Sequence, residues 1–220
     1  MSCSSIWVMD EDFRGKKALE FQNAHLSFPI IMTVIYHKYL PKRVRYINDE
    51  KAFFILDDSY YEQVHDISLH QELKIAVEDS NSTVDNAVWD FINGTIFFTK
   101  DKDFLAENLE KFLESNLSEI SDYGEYVLIR FKEMIETIKN LDTKHKAFVF
   151  KANSVDSYIE NWFEQYNEDE DEYKEVSLRE SVPYDASFVF VDNKRILGYT
   201  SSRLFFQKED YYQEQLKKMK

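Results

Sequence analysis

The sequence predicts an α+β domain, with mostly antiparallel sheet of short strands and hairpins packed against several amphipathic helices. Three observations predict it. Strand-like and helix-like segments are interspersed along the chain. Several strand-like segments are joined by short polar turns, which indicates antiparallel pairing. The composition, 44% hydrophobic with 18 Phe, 14 Tyr and 3 Trp, supplies a core that needs no disulfide or metal staple. One domain over all 220 residues is expected, with the neighbourhood of residue 143 as the point where it could divide.

Taken in order, Ile6 to Met9 reads as a short strand, and the stretch from Arg14 to Leu26 is mixed. Ser27 can cap a helix that opens with Phe28-Pro29 and runs to about Leu40, where Pro41 stops it; a strand over Ile30 to Ile35, rich in β-branched residues, is the close alternative. Val44 to Ile47 and Ala52 to Leu56 flank a four-residue polar loop and predict a hairpin. Leu73 to Val77 reads as another strand. Asn93-Gly94 is the sharpest local signal. A type I′ turn there pairs Ile92 with Thr95 and puts Trp89, Phe91, Ile96 and Phe98 on one face of a hairpin. The alternative is a helix from Thr83 to Asn93 with Gly94 as its left-handed cap; the hairpin is the expectation.

Helical spacing dominates the middle. Phe104, Leu105, Leu109, Phe112, Leu113 and Leu117 form one apolar stripe, and Tyr123, Val127, Phe131, Met134, Ile138 and Leu141 form a second. A short connection makes the two helices antiparallel neighbours. Ala147 to Lys151 reads as a strand, and Ser154 caps a helix with a stripe from Val155 through Trp162 and Phe163 to Tyr166. The run Glu168 to Glu172 has no apolar period and predicts a solvated loop or a frayed helix end. Ser187 to Val191 and Ile196 to Thr200 form a second hairpin, and a last helix spans Lys208 to Met219.

Charge narrows the function. Forty-one Asp and Glu stand against 27 Lys and Arg, a formal net charge of -14. Such a surface repels nucleic acid and attracts cations or basic proteins. The four glycines, at 15, 94, 124 and 198, are too scattered for a phosphate-cradling loop or a dinucleotide fingerprint. Cys3 has no partner for a disulfide and sits in a segment expected to fray. His25, His37, His65, His70 and His145 show no i, i+4 pair, and with one cysteine there is no zinc ligand set, so no metal and no cofactor are expected. No glycine-rich serine elbow is present. The longest apolar run is too short to span a bilayer, and cytoplasmic residence is the default expectation.

Two candidate sites remain. Asp57-Asp58 followed by Glu72-Leu73-Lys74 loosely resembles the Asp…Glu-x-Lys set of restriction-endonuclease-like nucleases, whose carboxylates hold a divalent metal. That resemblance implies metal-dependent cleavage with Asp58, Glu72 and Lys74 as the catalytic set. Against it, no basic groove is apparent for a phosphate backbone. The second candidate is acidic surface: Asp10, Glu11 and Asp12, and the run Glu168, Asp169, Glu170, Asp171 and Glu172, which Tyr158, Trp162, Phe163, Tyr166 and Tyr173 bracket. Carboxylates spread over a fold can stand in for phosphates, and aromatic anchors with a charged rim suit an interface. The expected function is therefore an acidic protein that neutralises or regulates a basic partner, in the manner of toxin immunity proteins or phage-type inhibitors of nucleic-acid enzymes. A nuclease and a non-catalytic structural or oligomeric domain are the alternatives.

Overall fold

The computed structural model describes residues 3–22, 28–41, 69–153, 160–181, 186–192, 196–209 and 217. The expected hairpin between residues 44 and 56, the caps at Ser27 and Ser154, and Asp57 and Asp58 lie outside them.

A six-stranded mixed sheet organises the molecule. β1 (Cys3–Met9) and β2 (Gly15–Gln22) form an antiparallel hairpin. β3 (Ile96–Phe98) and β4 (Ala147–Asn153) continue the sheet, and β7 (Ser187–Val191) and β8 (Ile196–Ser201) complete it, in the order β2-β1-β4-β3-β7-β8. Only β3 and β7 pair in parallel; every other neighbour in this sheet is antiparallel. β5 (Glu164–Asn167) and β6 (Glu172–Glu175) make a separate two-stranded hairpin. The fold is α+β, and the main sheet takes strands from both sides of residue 143.

The inner strands bury side chains on both faces, so they read as continuous apolar runs. On one face Ile6, Val8, Phe97, Phe148, Phe150, Val189 and Val191 meet a layer of helices. These are α1 (Phe28–Tyr39), α2 (Leu69–Asp79), α3 (Thr83–Ile92), α4 (Lys102–Ser115), α5 (Leu117–Ser121) and α6 (Glu125–Lys139). α4 and α6 pack as antiparallel neighbours, with Phe112 stacked on Phe131 and Lys139 joined to Glu110. On the other face Trp7, Met9, Ile96, Phe98, Val149, Phe188 and Phe190 meet a thinner layer. It consists of Phe13 in the β1–β2 turn and the short helices α7 (Glu160–Phe163), α8 (Leu178–Ser181) and α9 (Ser202–Gln207).

Several expectations are corrected. Residues 73–77 are helical in α2, because Leu73 and Val77 are one helical turn apart and both fully buried. The hairpin at Asn93-Gly94 is absent; the helix alternative holds. Ser82 caps α3 by accepting the Asp85 amide at 3.2 Å. At the other end Gly94 takes φ +73°, its amide donates to the Phe91 carbonyl, and the Thr95 amide donates to the Asp90 carbonyl. Those two bonds are the Schellman pattern, which satisfies the last helical carbonyls. Trp89 and Phe98 are buried as expected, but against opposite faces of the sheet. The helix expected to reach Tyr166 stops at Phe163, and Tyr166 lies in β5. The stretch after Arg14 is β2, and the backbone of Cys3 is paired in the sheet, opposite Gln22 and Asn153. α9 starts before the expected last helix, most of which lies outside the described residues. No described helix is long and apolar enough to cross a membrane.

Candidate functional site

The β5–β6 hairpin carries the acidic run at its tip. Residues 168–175 are all exposed, on both sides of the hairpin. Asp171 takes φ +52° in the turn, a conformation Asp tolerates better than most residues. The Asp169 amide donates to Asn167 Oδ1 at 3.1 Å, the Tyr166 hydroxyl donates to Asp171, and Lys174 pairs with Glu170. That hydroxyl bond raises the Tyr166 pKa above its ordinary value. Tyr166 and Tyr173 are directly opposite in register with ring centroids 5.2 Å apart, yet they are 50% and 67% exposed. An isolated two-stranded hairpin is marginal in water. Here the base is tied down, through Val176 N–H to the Phe163 carbonyl at 2.7 Å.

The same base is clamped to the β1–β2 turn. Ser177 Oγ donates to the Asp12 carbonyl at 2.5 Å, Arg14 Nη1 donates to the Glu175 carbonyl at 3.1 Å, and Leu178 N–H donates to the Phe13 carbonyl at 2.9 Å. So two acidic segments about 160 residues apart in sequence share one end of the molecule. Asp10 is partly structural there: its Oδ1 accepts the amides of Asp12 and Arg14, each at 2.9 Å. Glu11 and Asp12 are exposed.

Of the nuclease set, the structure describes Glu72 and Lys74. Asp58 lies outside the described residues. Glu72 and Lys74 sit on α2, where residues two apart point to different sides. The Glu-x-Lys spacing presents both side chains to one site only on a strand. Among the described residues, no group of three or more His, Cys, Asp or Glu is placed to hold a metal ion.

Lys74 instead belongs to a cleft that the sequence reading missed. α2, α3 and β8 flank an open space of about 420 Å³ lined by Glu78, Asn81, Thr83, Asn86, Asp90, Ile196, Gly198 and Tyr199. Lys74 Nζ lies 3.9 Å from Glu78 Oε1 and 4.9 Å from the centre of the Tyr199 ring. The Tyr199 hydroxyl donates to Glu78 Oε1 at 3.4 Å. Desolvation pushes the Asp90 carboxyl up to about 7; the Glu78 charge adds to the rise and Lys74 opposes it. A hydrogen bond with Tyr199 raises the Lys74 pKa, against burial that lowers it. The signal was present in the polar stripes Thr83, Asn86, Asp90 and Lys74, Glu78, with Asn81 in the turn between them, and it is visible only if both segments are read as helices.

A different carboxylate is structural. Asp85 is 1% exposed and accepts from Lys38 Nζ at 2.5 Å and from the Tyr39 hydroxyl at 2.6 Å, tying α1 to the start of α3. Burial raises its pKa, but the bonds from Lys38, Tyr39 and Ser82 outweigh that and hold it below the ordinary Asp value. Burial and the Asp85 bond push Tyr39 up to about 12.

No family model, no curated protein and no solved structure matches this chain.

Proposed function

We propose that this protein binds a basic partner through its acidic end, and so neutralises or regulates that partner. One observation supports the reading above the others: the hairpin tip, Glu168 to Glu172, stands on the same end as Glu11 and Asp12, beside an exposed tyrosine pair. Seven carboxylates against Lys174 alone, over residues 164–175, would carry a fold's stability argument poorly. They suit encounter with a positive surface, because long-range attraction raises the association rate. Tyr166 and Tyr173 supply the apolar contact that charge cannot, since aromatic anchors dominate interface energies. A partner with an anion-binding groove, such as a nucleic-acid enzyme or a toxin, is the chemical class that carboxylates in place of phosphates would fit.

Affinity capture at low salt tests this, with the wild-type chain and the variant Asp169→Asn, Glu170→Gln, Asp171→Asn as parallel baits. The wild type is expected to retain a basic protein that the triple variant loses. Equal retention by both baits of every basic protein would remove the hairpin from the account.

A further inference from the structure

We propose that the cleft between α2, α3 and β8 binds a small organic cation, an alkylammonium or guanidinium group, on the carboxylates of Asp90 and Glu78. The argument starts from the cavity. About 420 Å³ is the size of a small-molecule site, and its lining combines two carboxylates with Asn81, Thr83, Asn86 and the half-exposed ring of Tyr199. Among the described residues, Asp90 makes no side-chain hydrogen bond or ion pair, and its surroundings act on it through burial and the charges of Glu78 and Lys74. A desolvated carboxyl with no partner, opening into a cavity, is costly unless something completes it. Lys74 is already engaged with Glu78 and Tyr199.

Other ligand classes fit less well. Among the described residues, an anion would face Glu78 and Asp90 with only Lys74 to offset them. Among the described residues, no group of three or more metal-ligating side chains is placed to hold a metal ion. A cation converts the burial of Asp90 from a cost to a charge-assisted hydrogen bond. Asn81 and Asn86 can then hydrogen-bond polar groups along the remainder of the ligand.

Protonation couples to this binding. Asp90 holds a proton below about pH 7, and a cation needs it ionised. The groups that face it are Lys74 and Glu78 from α2 and Tyr199 from β8, while His70 of α2 packs on the neighbouring Trp89 ring at 4.9 Å. Cation binding therefore releases a proton near neutral pH, and affinity should fall as pH drops below about 7.

The test is a titration of the isotope-labelled protein with butylammonium and butylguanidinium chloride, followed by backbone amide shifts and the Asp90 carboxyl carbon shift. Butyrate, 1-butanol and potassium chloride serve as controls. Saturable shifts at Asn81, Gly198 and Tyr199 with either cation are expected. The Asp90 midpoint should fall by about one pH unit when the cation is about tenfold above its Kd. Asp90→Asn, which keeps the shape and the neutral state, should weaken binding about tenfold or more, and Glu78→Gln should weaken it less. Equal shifts with butanol, butyrate or potassium chloride, or full affinity in Asp90→Asn, would overturn the proposal.

Discussion

The two faces of the main sheet are built by different means. Long helices with apolar stripes cover one face: Ile30, Val34, Phe91, Leu109, Phe112, Phe131 and Met134 all point into it. Among the described residues the other face is covered by short elements, and aromatic rings do the joining. Phe188 stacks on Phe205 at 3.9 Å and meets Phe13 and Phe206 edge-on, and Trp7 stacks on Phe163 at 5.2 Å. Even Gly15 is shaped by this packing, since a Cβ there would meet the Phe163 ring at 2.4 Å. Each face also has a carboxylate that gathers two donors. Asp85 takes Lys38 and Tyr39 on the helical face. Glu209 takes Lys146 and Arg179 on the aromatic face, and both of those cations lie over the Phe13 ring. The helical face is stabilised by periodic secondary structure. The aromatic face depends on a few specific contacts, and it is the one that anchors the acidic hairpin.

The largest expected effect is on the aromatic face. Phe188→Ala should cost about 4–5 kcal/mol in urea unfolding, because its ring contacts four others in the aromatic layer. Trp89→Ala should cost about 3 kcal/mol, since the helix around it is capped at both ends and can settle. A reversed order would erase the contrast between the faces.

The paired carboxylates sharpen the comparison. Asp85→Ala should cost about 2–3 kcal/mol, and Glu209→Ala, 17% exposed, about 1–2 kcal/mol. The Asp85 pKa is depressed, so its contribution is present above the unfolded Asp value of about 3.9 and is lost as pH falls through the lower folded value. Asp85→Ala should therefore lose its penalty at acid pH, which a stability profile from pH 7 to 2 reads directly.

Asp90 has the opposite sign. Its folded pKa of about 7 is above the unfolded value, so the stability it lends is full below about pH 3.9 and is lost as pH rises through 7. Asp90→Asn should flatten the profile across that window and stabilise the protein at pH 8. The gain should be about 1–2 kcal/mol, less than the full shift implies, because the carboxyl lines an open cleft and keeps some solvent. A profile that Asp90→Asn leaves unchanged would show that the cleft carboxyl titrates normally.

These contrasts explain what could be read from the sequence. The stripes of α4 and α6, and the strand Ala147 to Lys151, were legible because periodicity is a local property. Asn93-Gly94 misled because the same dipeptide serves a type I′ turn and a Schellman cap; Ser82 eleven residues earlier was the deciding signal. Leu73 and Val77 satisfy both strand and helix spacing, so five residues could not decide between them. The aromatic face was illegible in principle, since Phe13, Phe163, Phe188 and Phe205 share no period. The exposure of the acidic run was legible, but its convergence with Glu11 and Asp12 was not, because it rests on Ser177 and Arg14 meeting across more than 160 residues. Asp90 was missed for the same reason: its cleft needs Tyr199 from a distant strand.

The binding proposal stands or falls on one kinetic measurement: association and dissociation rates of the captured basic partner, for the wild type and for Asp169→Asn, Glu170→Gln, Asp171→Asn, over a range of salt. Electrostatic steering acts on the association rate and fades over a Debye length of about 8 Å at physiological ionic strength. The expected result is a wild-type association rate that falls steeply with salt, a slower and flatter rate for the variant, and nearly equal dissociation. An association rate indifferent both to salt and to the triple change would contradict the account and leave the run from Glu168 to Glu172 as a solvated turn.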